Sequence, residues 1–128
     1  MKLRRYSVGT LILALASLLM SGCARSPEST VESFYRSLAR GELAEAKGYV
    51  SAQLIGMMGE GKLTSALASE TEKIRNCGGI KNVAVKLEGE GEVRFGVATV
   101  TYNGRCSPKT EETKLVKEDG KWKITASK

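Results

Sequence analysis

Residues 62–88 read KLTSALASETEKIRNCGGIKNVAVKLE, and the spacing of the apolar residues changes within this stretch. Between 62 and 75 the apolar residues recur at helical spacing, which predicts a helix. From 83 to 88 they alternate with residues that point the other way, which predicts a strand with one buried face. Asn76-Cys77-Gly78-Gly79 separates the two patterns and ends the helix. The chain therefore changes from helix to strand at this point.

Three more helices are predicted upstream of this change. Ser26 caps the first helix, and Pro27 occupies its first turn, where a missing N–H costs nothing. Gly41 ends that helix, and a short second helix starts at Glu42. Ser51 caps a third helix, which is weakened by the glycines that follow it.

Downstream of the change, residues 93–102 form a predicted second strand, after a turn or exposed strand end at 88–92. The residues that point inward change parity near Gly96. Two explanations are open: a bulge or bend near Gly96, or a turn at Gly96 itself.

Two pairs of turn residues predict hairpins. Asn103-Gly104 predicts a tight turn, after which Cys106 opens a third strand, and Pro108 places that part of the strand at an edge or a bulge. Asp119-Gly120 predicts the second hairpin. This second turn predicts two cross-strand pairs, Glu118 with Lys121 and Leu115 with Ile124.

Helices followed by an antiparallel meander are typical of an α+β fold. We expect the helices to cover one face of a curved sheet in a single domain, residues 28–128. The side chains expected in its core include Val100, Leu115, Trp122 and Ile124.

The first 22 residues have the features of a secretory signal. Lys2, Arg4 and Arg5 form a positive segment, and Val8 to Met20 is apolar. This apolar run is about 13 residues long, whereas a bilayer core requires about 20. Its length and its flanks favour a signal peptide over a membrane helix.

Ser21-Gly22-Cys23 resembles the lipobox of bacterial lipoproteins, with Met20 where Leu is usual. The resemblance implies cleavage before Cys23, a diacylglycerol thioether on it, and an acyl group on the new amine. Residues 1–22 are then a lipoprotein signal peptide and residues 23–27 a lipidated tether. The alternative is an ordinary signal cut elsewhere, with Cys23 an incidental thiol. Because Ala24 rather than Asp follows, lipoprotein sorting would favour the outer membrane, facing the periplasm, in a Gram-negative cell.

Charge and cysteine content narrow the choice of partners. The leader holds three of the 20 basic residues, so the rest of the chain, with 14 acidic residues, has a net charge of only +3. No basic stripe with interleaved aromatics appears, which argues against nucleic-acid binding.

With Cys23 acylated, Cys77 and Cys106 are left, and in an oxidising envelope they predict a disulfide; two buried free thiols are the alternative. A metal site requires more ligands than these two cysteines, and the chain has no His, so we expect no metal site. We also expect no cofactor.

The order of these parts resembles the nuclear-transport-factor-two-like (NTF2-like) superfamily. The similar segments are Thr30 to Tyr35, Ala98-Thr99-Val100 and the closing stretch from Leu115 to Ile124, LVKEDGKWKI. The resemblance implies a cystatin-like cone, in which helices pack on a curved antiparallel sheet. Enzymes of the superfamily place acids, bases and tyrosines in the open end of the cone. A shared fold does not specify a shared activity.

Few residues here suit catalysis. The only Asp, Asp119, is in a predicted turn, and the glutamates, such as Glu70, occupy positions expected to face solvent. Tyr35, Tyr102 and Trp122 could line a pocket, although core or rim positions are the alternative.

The first hypothesis is therefore a non-enzymatic envelope lipoprotein that binds a protein or peptidoglycan-associated partner. An exposed apolar patch on the sheet or in residues 50–60 would favour it. The second is a carrier of a small apolar ligand in the cone cavity, and the third is an enzyme.

Overall fold

The computed structural model describes residues 25–127, so the predicted leader, Cys23 and Lys128 lie outside the described residues. Within them, four helices precede four strands, as the change of spacing predicts. The helices are α1 (Pro27–Ala39), α2 (Leu43–Gly48), α3 (Ala52–Met58) and α4 (Glu60–Asn76). The strands are β1 (Ile80–Glu88), β2 (Val93–Tyr102), β3 (Lys109–Glu118) and β4 (Lys121–Thr125). No helix in residues 25–127 has the length and apolar character to cross a membrane.

Two serine caps set the helix starts, as the sequence predicts. The Ser26 hydroxyl accepts a hydrogen bond from the Ser29 N–H at 3.1 Å, and the Ser51 hydroxyl accepts one from the Leu54 N–H at 3.0 Å. Each cap satisfies a backbone donor that has no partner inside its helix. Gly59, with a φ of 84°, interrupts the helical conformation and separates α3 from α4.

The strands form one antiparallel sheet in the order β1-β2-β3-β4. Directly opposed residues share a face of the sheet, and the inner face packs on the helices. Its core includes Ala98, Val100 and Leu115, each almost fully buried. Trp122 and Ile124, expected in the core, are only half-buried. Helices on one face of a curved sheet confirm the predicted fold class.

The register excludes both predicted irregularities at Gly96. Gly96 stays paired with Leu87, the connection between the strands lies at 89–92, and the one register shift falls between Ile80 and Asn82. Gly96 has a different role, because a Cβ there would lie 1.9 Å from the carbonyl oxygen of Lys86. Only glycine allows this close approach of β1.

The predicted two-residue turn at Asn103-Gly104 is wrong, because six residues, 103–108, connect β2 to β3. The Gly104 N–H donates to the carbonyl of Cys77 at 2.8 Å, and the Asn103 N–H donates to that of Gly79 at 3.0 Å. The predicted Cys77–Cys106 disulfide is present, with the two Cα atoms 5.4 Å apart. These bonds hold the connection against the end of α4, so β3 begins at Lys109 rather than at Cys106.

The second predicted hairpin is confirmed. Asp119 and Gly120 both have positive φ, 50° and 76°, as a two-residue hairpin turn requires. The expected pairs, Glu118 with Lys121 and Leu115 with Ile124, both form. Beyond this hairpin, residues 49–51 cover the free edge of β4 through backbone hydrogen bonds to Ile124 of 2.7 and 2.8 Å.

Candidate functional site

The inner face of β3 carries two charged residues that the sequence pattern did not place there. Glu111 lies opposite the buried Ala98, and Lys109 lies opposite the buried Val100. Both therefore share a face with the core. The sequence offered one signal for this placement. Lys109 and Glu111 are an even number of residues from the core residue Leu115, and such residues point to the same face of a strand.

These two residues join a chain of polar contacts between sheet and helices. The Tyr35 hydroxyl donates to Glu111 Oε2 at 2.7 Å, and Lys109 Nζ lies 2.7 Å from Glu111 Oε1. The same ammonium donates to both oxygens of Glu70 on α4, at 3.0 and 3.1 Å. The expectation that Glu70 faces solvent is therefore wrong. We call Tyr35, Glu70, Lys109 and Glu111 the inner polar cluster.

The pKa values of this cluster follow from its contacts. Burial and the bond to Glu111 raise the pKa of Tyr35. Burial alone would raise the pKa of Glu111, but hydrogen bonds from Lys109 and Tyr35 outweigh it and hold that pKa below its ordinary value. Burial likewise opposes charge on Lys109, yet its bonds to Glu111 and Glu70 raise its pKa. All three shifts lead away from neutral pH.

Tyr102 lies beside the inner polar cluster, at the end of β2. It is buried, and among the described residues its hydroxyl has no hydrogen-bond partner. Burial, followed by the negative charge of Glu70, raises the pKa of Tyr102. The structure thus places two of the three predicted pocket residues, Tyr35 and Tyr102, around the same charges.

Trp122, the third predicted pocket residue, lies elsewhere. Arg94 Cζ is 5.1 Å and Lys117 Nζ is 5.5 Å from the centre of its ring, so two cations flank it. Arg94 and Tyr102 are eight residues apart on β2, or about 26 Å in an extended strand. Trp122 therefore belongs to the opposite end of the sheet.

A groove of about 620 Å³ opens beside Trp122. The β3–β4 turn forms one wall, and Tyr49 and Arg25 form the other. The Arg25 guanidinium carbon lies 5.4 Å from the centre of the Tyr49 ring. The groove is thus lined by aromatic rings and basic side chains, one of which is Arg25, the first described residue.

The outer face of the sheet exposes an apolar strip on β2, formed by Val93, Phe95 and Val97. Phe95 is 56% exposed and lines a shallow groove of about 680 Å³. This strip, and not an irregularity of the strand, explains the change of parity near Gly96. Met57 on α3 is also exposed, at 66%. Of the two places where an apolar patch would favour partner binding, the sheet therefore carries a contiguous strip, and residues 50–60 carry one exposed large apolar side chain.

Metal-ligating side chains do not cluster in residues 25–127. That range contains no group of three or more His, Cys, Asp or Glu residues able to hold a metal ion. The glutamates of the inner polar cluster are engaged by Lys109 and Tyr35.

Comparison with solved structures identifies the fold. A crystal structure from Campylobacter jejuni, of a protein named as a candidate NTF2-like transpeptidase, matches with a TM-score of 0.70. The match covers 80% of this chain and 100% of the other, at 18% sequence identity. At this identity the likeness shows the fold alone. The chain therefore has the NTF2-like fold that its sequence resemblance implies.

The family is narrower than the fold. A family model described as a domain of unknown function, DUF4878, matches residues 21–125. The match spans most of the chain, and the protein belongs to this family. A comparison with the curated proteins found no match.

Proposed function

We propose that the chain is a lipid-anchored protein of the bacterial cell envelope that acts as a non-enzymatic binding module. The predicted signal peptide and lipobox support export and acylation at Cys23. The disulfide between Cys77 and Cys106 supports the same compartment, because such bonds persist in oxidising surroundings and are rare in the cytosol.

The inner polar cluster gives little support to catalysis. A general acid or base works best with a pKa near the operating pH. The pKa values of Glu111, Lys109 and Tyr35 are all shifted away from neutral pH. Their hydrogen-bonding atoms are also turned toward one another. The same side chains occupy the space between sheet and helices, so the carrier hypothesis is less favoured too.

The observation that carries the proposal is the apolar strip on the outer face. Exposed large apolar side chains are ordinary when they are scattered singly, but contiguous patches mark interaction sites. Val93, Phe95 and Val97 follow one another on the same face of an interior strand. We propose that this face binds a protein, and that the protein is a second copy of the chain.

The charges beside the strip are complementary to themselves. Glu88 on β1 and Lys114 on β3 lie on either side of Phe95. One row further along β2 the signs are reversed, with Lys86 on β1 and Glu112 on β3. None of these four takes part in an ion pair among residues 25–127. Their charges are therefore available to a partner.

A two-fold axis parallel to β2, between two facing sheets, would place β1 of one copy over β3 of the other. Glu88 would then face Lys114 of the second copy, and Lys86 would face Glu112. Phe95 would meet Phe95 at the axis. Sheets packed in this aligned way remain within about 30° of each other, so the charge rows stay matched.

A photo-cross-linking amino acid in place of Phe95, in the full chain in intact cells, tests the binding face. We expect an adduct of twice the chain mass. The same amino acid in place of Met57, an equally accessible site on α3, is the matched control and should give no dimer. An adduct of another mass would show a different protein on this face, and the absence of any adduct at position 95 would refute the binding face.

Charge exchange tests the second copy independently. Glu88→Lys would set two lysines against each other across the interface and should weaken the dimer adduct. Adding Lys114→Glu to the same chain restores opposite charges, and the adduct should return. If the double variant is no better than the single one, the proposed arrangement is wrong.

A further inference from the structure

The folded domain starts very close to the predicted lipid. Ser26 caps α1, so only Ala24 and Arg25 separate it from Cys23. An extended residue spans at most about 3.6 Å, which keeps the Arg25 Cα within about 7 Å of the Cys23 Cα. Each headgroup layer of a bilayer is about 5–7 Å deep. A domain held on so short a tether must touch the headgroups with the face around Arg25.

That face carries both of the aromatic side chains that line the groove beside Arg25. Arg25 lies over the ring of Tyr49 at 5.4 Å, and Tyr49 and Trp122 line the same groove. Both rings are half-buried rather than enclosed. Tyr and Trp concentrate at membrane interfaces, where the apolar ring enters the acyl boundary and its polar atom stays hydrated.

Basic side chains surround these rings. Arg94 and Lys117 flank Trp122, Lys121 is exposed at the turn, and Lys123 donates to the carbonyl of Gly48 at the groove wall. We call Arg25, Tyr49, Arg94, Lys117, Lys121, Trp122 and Lys123 the basic–aromatic face.

Two carboxylates, Glu45 and Asp119, line the same groove, but they do not cancel the positive charge of this face. Glu45 is engaged by Arg40, with oxygens 3.4 Å from its guanidinium. Asp119 belongs to the hairpin turn and is exposed. Three cations of the basic–aromatic face, Arg25, Lys121 and Lys123, line the groove together with these two carboxylates. Arg94 and Lys117 lie beside Trp122 and add to the positive charge.

We propose that the basic–aromatic face lies against the membrane surface and binds the phosphates of anionic lipid headgroups. This inference rests on the lipid anchor of the proposed function, and it adds the side of the domain that faces the bilayer. Basic residues near an anionic leaflet are attracted to it, and a basic patch strengthens anchoring by acyl chains. The outer face of the sheet remains free for a second copy held by the same membrane.

Trp122 provides the probe, because it is the only Trp in the chain. The acylated full chain would be reconstituted into vesicles of phosphatidylcholine, with or without anionic phosphatidylglycerol. The lipids would carry bromine on the acyl chains close to the glycerol. We expect bromine to quench the emission of Trp122, more strongly in the anionic vesicles and less strongly at high salt.

Charge reversal tests the lipid contact. Lys121→Glu should lower the quenching in anionic vesicles toward the value in phosphatidylcholine. Lys81→Glu is the matched control, an exposed lysine at the other end of the sheet, and should leave the quenching unchanged. Unaltered far-ultraviolet circular dichroism would show that both variants fold.

The outcomes separate the two proposals. If the chain floats with the vesicles and Trp122 is not quenched, the anchor holds and the proposed docking face is wrong. Equal quenching in both vesicle types, unaffected by Lys121→Glu, also overturns the binding of anionic headgroups. If the chain does not float with vesicles, the anchor fails and the docking inference fails with it.

Discussion

Removing the ammonium of Lys109 should destabilise the fold more than any other single change in the inner polar cluster. Lys109 Nζ lies 3.0 Å from Glu70 and 2.7 Å from Glu111, so it separates two carboxylates. Lys109→Met retains most of the apolar stem but leaves those carboxylates facing each other. Tyr35→Phe, by contrast, removes one hydrogen bond while Glu111 keeps its lysine.

The burial of these side chains sets the magnitude. Breaking a fully buried ion pair costs about 3–5 kcal/mol, and a surface pair is worth about 0–1 kcal/mol. The side chains of Lys109, Glu70 and Glu111 are 24%, 21% and 43% exposed, between these limits. We therefore expect Lys109→Met to lower the free energy of unfolding by about 2 kcal/mol, and Tyr35→Phe by about 1 kcal/mol.

Urea unfolding followed through the emission of Trp122 measures both losses. For a domain of this size, 2 kcal/mol corresponds to a midpoint lower by about 1–2 M urea. Lys81→Met, at an exposed position, is the control and should change the midpoint little. If Lys109→Met lies within about 0.5 kcal/mol of that control, the cluster is not a source of stability.

Three further predictions concern the fold. Replacing Cys77 and Cys106 by serine should cost about 3–4 kcal/mol, because the disulfide closes a loop of 29 residues, and urea midpoints of oxidised protein measure this. Gly96→Ala should lower the free energy of unfolding by more than about 2 kcal/mol, because the added Cβ would meet the opposing carbonyl of β1. The Cβ added by Gly56→Ala meets no atom within 4 Å, so this variant should be more stable by about 0.5–1 kcal/mol. Thermal melts that rank the two variants the other way would contradict the register. Because the folded pKa of Glu111 is lowered, its stabilisation is present above the ordinary carboxyl pKa of about 4.3 and is lost as the pH falls below it, and Glu111→Gln should remove this acid-dependent part of the urea midpoint.

Local features were predictable because they depend on residues close together in the chain. The order of helices and strands, both serine caps and the turn at Asp119-Gly120 follow from spacing and from backbone preferences. The disulfide followed from counting the cysteines of a chain whose export is predicted. The turn at Asn103-Gly104 failed because hydrogen bonds to the end of α4, distant in sequence, outweigh its local preference.

The sequence by itself therefore determined the fold class, predicted the export of the chain, and singled out Tyr35 and Tyr102, which the structure places beside the same charges. Only the tertiary structure decided that Glu70 meets Lys109 and Glu111. Glu70 lies on a helix, 39 residues or more before the strand that carries the other two. The tertiary structure alone also separated Trp122 from the tyrosines and left Phe95 on the outer face. The physical reason is that a residue's spacing along its element reveals which face it shares. What that face meets depends on how distant elements pack.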